Sequence, residues 1–320
     1  MKESQKRDFR TAQKLDLSDV SNFFREQGYE VCSINQVWRN VHAHLKKNSQ
    51  SFFMKLATTN DIGLLLRNEA SWNRQLFERL SGSDQLFCVP SVIFEGKYQE
   101  LPYYIGEFYP GQKLAEPNQS AISLGDWLDK IVQCTTYLLQ TEGLQLVKDH
   151  ERADRSPKEI IEGSKKHVRE WFGELPPPTQ ELVAPLLDSI NQLDKYYRPA
   201  TNHQDFVPWH MLKDRQRFIL IDAEHASSQG PRFYDATYFY HRLYTKGQSP
   251  LLANLYIEKL WSVLDSTDRQ SLVSTFTTLL AGRIIGGFWE AKNNQTIDKF
   301  HRQLLELYLS NALPFMKFAS

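Results

Sequence analysis

His203-Gln204-Asp205-Phe206-Val207-Pro208-Trp209-His210-Met211-Leu212 and, just beyond it, Phe218-Ile219-Leu220-Ile221-Asp222-Ala223-Glu224-His225 are the two stretches on which the fold turns. Met211–Leu212 and Phe218–Ile221 read as two short apolar strands. Lys213-Asp214-Arg215-Gln216 joins them as a hairpin. Charged and polar residues crowd both outer ends. A carboxylate held beside a strand end can take a proton from a hydroxyl, so Asp205 is a candidate general base. Pairing of the strands would bring Asp205, His210 and Asp222 together, which suits a divalent cation beside that base. Each carboxylate taken alone is more often a turn or cap residue.

Working outward, the first third of the chain predicts a sheet. Leu17–Gln27 has the period of a short helix that Ser18 can cap and Gly28 stops. Tyr29–Ile34, Val41–Lys46 and Phe52–Ala57 read as a meander of antiparallel strands, with a turn at Asn48–Ser49. Asp61–Leu80 carries Leu65, Leu66, Trp72, Leu76 and Leu80 near helical period, and Val89–Phe94 and Tyr103–Glu107 complete five strands. Pro110–Gly111 punctuates the chain, so residues 1–108 and 109–320 are expected to form two lobes. The second is mainly helical: Ser123–Gln140, Pro157–Phe172, Gln180–Tyr197, Pro250–Leu264, Thr267–Asn293 and Thr296–Ala312, with Leu175–Pro178 as a linker and Thr201–Tyr240 as the segment that breaks the pattern.

Composition narrows the classes. The 320 residues hold 38 Lys+Arg against 38 Asp+Glu, and this balance argues against a nucleic-acid or polybasic membrane surface. The charged N-terminus lacks an apolar signal region, and no run approaches the roughly 18 consecutive apolar residues of a membrane span. Cys32, Cys88 and Cys134 are odd in number and make no zinc spacing, so a reducing cytoplasmic location is expected. Nothing in the sequence speaks to oligomeric state.

The run His203–Leu212 resembles the catalytic loop of the aminoglycoside-phosphotransferase and choline-kinase-like family, His-Gly-Asp-x-x-x-x-Asn, especially in members ending Pro-Trp-Asn. Ile221-Asp222 resembles that family's metal-binding Ile-Asp. Gly230-Pro231 with Tyr234-Asp235-Ala236 is similar to its downstream Gly-Pro…Tyr-Asp element. The resemblance covers about Tyr29 to Leu243 and implies an α+β, two-lobed protein-kinase-like fold: an N-terminal antiparallel five-stranded sheet plus helix, then a mainly helical lobe. It further implies ATP and Mg2+ (or Mn2+) as cofactors and a small hydroxyl-bearing molecule as phosphate acceptor. Residue by residue, it implies Asp205 as catalytic base, Asp222 and His210 as metal ligands, Lys55 on the phosphates with Glu69 as its partner, and backbone near Glu107 for adenine. His203 and Asp235 would brace the loop, and Asn40 would supply a tight turn in the phosphate-covering segment Asn35–Val41.

Two departures stand out. His210 occupies the position of the family's Asn, and imidazole suits softer metals than Mg2+. Asn35–Val41 contains no glycine, although close backbone approach to phosphates favours one. A nucleotide-binding scaffold without catalysis is therefore the alternative. A hydrolytic metal site built from His203, Asp205, His210, Asp222 and His225 is a third reading.

Overall fold

A computed structural model describes residues 8–82, 86–150, 156–292 and 299–319. It divides into two compact units. The first is Met1–Gln112 with Leu144–Glu151 and Leu212–Ala226, and the second is Lys113–Gly143, Arg152–Met211 and Ser227–Ser320.

The first unit opens with α1 (Leu17–Glu26), capped by the Asp16 carboxylate, which accepts from the backbone N–H of Ser18 and Asp19. Asp16, not the expected Ser18, is the cap, because it lies one residue before the first helical turn, where the orphan N–H groups point. Then come β1 (Glu30–Val37), β2 (Asn40–Lys47), β3 (Gln50–Ala57), α2 (Asn60–Leu80), β4 (Phe87–Cys88), β5 (Val92–Tyr98) and β6 (Leu101–Glu107). β1, β2, β3, β6 and β5 make one antiparallel sheet in that order. Asn48 and Ser49 both have positive φ, 52° and 64°, and close the two-residue β2–β3 turn. Val20 and Phe24 of α1 pack on Leu45, Met54, Tyr103 and Ile105, while Ile62, Leu66 and Ala70 of α2 pack on Ala57 and Tyr104. Gly106 is required where it stands: a Cβ there would lie 2.5 Å from the Ser91 carbonyl oxygen.

In the second unit a 3-10 turn (Ile122–Trp127) leads into α3 (Leu128–Gln140). After the short α4 (Val147–His150), which belongs to the first unit, come α5 (Pro157–Gly173), α6 (Pro177–Val183), α7 (Pro185–Asn191) and α8 (Leu193–Tyr196). The single helix expected over Gln180–Tyr197 is thus broken, since Pro185 starts a new helix where its missing N–H costs nothing. The expected linker at Leu175–Pro178 runs straight into α6, which has Pro in its first turn for the same reason.

β7 (Pro199–Asn202) then precedes the hairpin of β8 (Met211–Asp214) and β9 (Arg217–Leu220). β9 also pairs in parallel with β4, Phe87 opposite Phe218, within the first unit. β10 (Ser227–Pro231) pairs antiparallel with β7, and the segment expected to be non-helical through Tyr240 becomes α9 (Tyr234–Thr245). α9 is buried along nearly its whole length, so its apolar residues show no one-sided period to read. α10 (Pro250–Val263), α11 (Ser266–Glu290) and α12 (Lys299–Leu309) complete the unit. By length and composition α11 could cross a membrane, but 83% of its most apolar window is buried in the protein, which makes it the unit's core helix. Residues 296–298 of the last expected helix lie outside the described residues.

Candidate functional site

Lys55 ends up where its strand pairing puts it. The two-residue turn fixes His42 opposite Lys55 on β2, and β6 places Tyr104 opposite it on the other side. Residues directly opposite share a sheet face, so His42, Lys55 and Tyr104 point together towards α2. From α2, Glu69 accepts the Lys55 ammonium at 2.6 Å and the Tyr104 hydroxyl at 3.1 Å. Asp222, two residues past β9, takes Lys55 at 2.9 Å, and Glu224 stands 3.8 Å away. Burial opposes the ammonium, yet Asp222, Glu69 and Glu224 outweigh it and hold the Lys55 pKa well above its ordinary value. Burial pushes Glu69 up against the pull of Lys55.

Asp222 has φ 68°, a left-handed backbone that an aspartate adopts at a cost of about 1–3 kcal/mol. Surrounding contacts hold it there. Asn68 donates to the Glu224 and Ala226 carbonyls and accepts from the Lys148 N–H. Arg39 pairs with Glu224 and donates to the Phe9 carbonyl at 2.9 Å. Its guanidinium is therefore committed to the segment after Asp222 and is not presented at the turn. Asn40 does not make that turn either: it sits in β2, buried, and the residue with positive φ is Trp38, at 50°. Trp38 is exposed and its ring lies 4.1 Å from the Arg39 guanidinium.

Glu107 ends β6 with its side chain exposed and accepting from the Tyr109 hydroxyl at 2.7 Å; its backbone N–H donates to Ser91. The N–H is thus spent inside the sheet. The sequence reading missed His42, Tyr104, Glu224 and Asn68. The register set by Asn48–Ser49 is the signal that would have found the first. Burial and the nearby Lys55 lower the His42 pKa to about 4, so the ring is neutral, and its buried Nε2 has no partner among the described residues.

The residues of the loop His203–His210 belong to the second unit and hold one another. Asp235, in the first turn of α9, accepts the backbone N–H of His203 at 2.6 Å and of Gln204 at 2.9 Å. Gln204 has φ 65°, and these two bonds stabilise that conformation. The buried His203 ring accepts the Asp205 N–H at Nδ1. The His210 Nδ1 lies 3.0 Å from the Asp205 backbone carbonyl. A carbonyl can only accept, so Nδ1 carries the proton and the lone pair of the neutral ring is on Nε2.

Burial raises the Asp235 pKa to about 7, against the two backbone donors and with a push from Asp205. The folded value exceeds the unfolded one, so the folded state binds this proton more tightly. Its stabilising contribution is complete below about pH 4 and is lost as pH rises through about 7. Asp235→Asn is expected to flatten the fall in stability between those limits, measured as denaturation midpoint against pH. A slope identical to wild type would remove Asp235 as its source.

Asp222 offers a partly exposed carboxylate, and Glu69, Asp222 and Glu224 each bring an oxygen within 4.8 Å of the others. Such hard oxygen donors suit Mg2+ or Mn2+, and the Lys55 ammonium suits a phosphate oxygen.

No protein-family model matches the chain, and no curated protein matches its sequence. Solved structures do match. A thermostable variant of aminoglycoside phosphotransferase APH(4)-Ia, in a ternary complex with AMP-PNP and hygromycin B, aligns with TM-score 0.62 at 13% identity, over 94% of this chain and 99% of that one. The amicoumacin kinase hAmiN, with AMP-PNP, Ca2+ and Ami, aligns with TM-score 0.57 at 11% identity over 91% and 92%. A GDP complex of an aminoglycoside 2'-phosphotransferase-IIIa variant aligns with TM-score 0.59 at 17% identity over 94% and 98%. The chain has the aminoglycoside-phosphotransferase type of the protein-kinase-like fold, an α+β architecture with a five-stranded antiparallel sheet and a mainly helical remainder. These structural neighbours are small-molecule kinases solved with nucleotides or their analogues.

Proposed function

We propose that this protein is an ATP-dependent phosphotransferase that moves the γ-phosphate to a hydroxyl of a small molecule. The observation that carries it is the ion-paired set Lys55, Glu69 and Asp222 on the fold of small-molecule kinases. In the reaction, Asp205 accepts the acceptor's hydroxyl proton, the new O–P bond forms, and the bond to the ADP oxygen breaks. Asp222 would hold a divalent cation, which would supply neutralising charge to the phosphates, and Lys55, oriented by Glu69, adds its own. Phosphoryl transfer relies mainly on positioning and electrostatic stabilisation, so few side chains suffice.

A nucleotide-binding scaffold is the second reading. Arg39 committed to Glu224 and His210 in the loop favour it. The test is ATP consumption across hydroxyl-bearing metabolites with Mg2+ and with Mn2+, alongside thermal stabilisation by ATP. Acceptor-dependent consumption supports the kinase. Stabilisation without turnover supports the scaffold.

His210→Asn is expected to raise Mg2+-supported turnover on the order of tenfold relative to Mn2+, because an amide oxygen is the harder ligand. An unchanged metal ratio would detach His210 from the metal.

A further inference from the structure

A surplus of buried positive charge lies in the second unit, partly on the helix that anchors the loop carrying Asp205. Asp235, Tyr238 and Arg242 fall three and four residues apart on α9, so they share one helix face. Asp235 anchors the loop at one end of that face. Arg242 donates to the Tyr238 hydroxyl at 3.0 Å and grips Glu290 of α11 with both terminal nitrogens. Arg283, also on α11, stacks its guanidinium 4.0 Å over the Tyr238 ring, with the Trp171 ring 5.6 Å away and the Glu290 carboxylate at 3.7 Å.

Both arginine side chains are only 8% exposed, and the Nε of each is buried with no hydrogen-bond partner among the described residues. Two guanidiniums therefore share one carboxylate. Lys246 adds a third positive charge acting on it, and together these cations hold the Glu290 pKa below its usual range although burial opposes them. The buried ring of His241 next to Arg242 adds no compensating charge. Burial of guanidinium N–H groups without acceptors costs free energy that a bound anion would recover.

Asp235 holds the amides of His203 and Gln204, the two residues before Asp205, and Arg242 lies seven residues further along the same helix face, on the order of 10 Å at the helical rise per residue. Resting on the phosphotransferase reading, we infer that the acceptor is an alcohol bearing a carboxylate or phosphate, bound through that anionic group by Arg283 and Arg242 with Tyr238 as its platform. A polycationic acceptor would meet repulsion at this place.

The experiment uses the full chain with AMP-PNP and Mn2+. Binding of D-glycerate, glycerol 3-phosphate, uncharged glycerol and cationic 2-amino-1,3-propanediol is measured by calorimetry, and turnover of the same four with ATP. At least one anion is expected to bind roughly tenfold or more tighter than glycerol, with the amine weakest. The stronger of the two anions identifies the group. Arg283→Gln should erase the preference without changing the AMP-PNP dissociation constant, and Arg283→Lys should retain part of it. Equal binding of anions, glycerol and amine overturns the inference, as does a uniform loss across all four probes in Arg283→Gln. Anion preference in binding with no turnover leaves the site standing and removes the kinase reading. Turnover of glycerol or the amine with no anion preference does the reverse.

Discussion

Asp205→Asn is expected to lower acceptor phosphorylation by ~10²–10⁴-fold, the range for losing a positioned general base. The substitution should preserve the loop because backbone groups make its main bonds, while the carboxylate adds only a longer contact, 3.6 Å from its Oδ2 to the His210 Nδ1. The Asp205 N–H donates to His203, its backbone carbonyl accepts from His210, and Asp235 anchors the preceding two amides. None of these bonds uses the Asp205 side chain, so Asn keeps the loop and removes the proton acceptor. Affinity for an ATP analogue and thermal stability should stay at wild-type values. An unchanged turnover number would take the acid–base role away from Asp205. A fall in stability comparable to the fall in rate would show a structural role.

Lys55→Met is expected to abolish measurable phosphoryl transfer and to destabilise the first unit by about 3–5 kcal/mol, the scale for removing one partner from a buried ion pair. That magnitude belongs to the Lys55–Glu69 pair, both of whose side chains are 5% exposed; Asp222 is a third exposed and solvent can compensate it. Without the ammonium, Glu69 keeps only the Tyr104 hydroxyl, and its already raised pKa should climb further. A group whose folded pKa lies above its unfolded value stabilises most at low pH. The deficit of Lys55→Met relative to wild type should therefore shrink as pH falls through the carboxylate range and grow as it rises. Adding Glu69→Met to Lys55→Met should recover much of the stability but none of the turnover. Denaturant titrations of the two single variants and the double variant measure the coupling directly. Additive losses would mean that the pair is not a unit.

Much of the first unit was legible because local rules act alone there. Asn48 and Ser49 forced a two-residue turn, β2 before them alternates apolar and polar residues, and α2 has a clear apolar stripe from Ile62 to Leu80. Asp205 and Asp222 stood out in the sequence because polar residues crowd the ends of two short apolar strands, whereas Asp235 was singled out only by the resemblance to the kinase-like family. The helix Tyr234–Thr245 was not legible, since a helix buried on all sides has no contrast between faces. Pro185 split a segment whose periodicity read straight through it.

The sequence by itself determined the order of elements, the strand register around Lys55 and the residue types available for chemistry, because turns, caps and hydrophobic period are local properties of the chain. Only the tertiary structure decided that Arg39 is held by Glu224 and not left at its turn, that Asn40 is a strand residue, and that Arg242 and Arg283 share Glu290. Those outcomes depend on which buried charges find partners far away in sequence. The free energy of such pairs is set by desolvation and distance, which no local pattern of residues records.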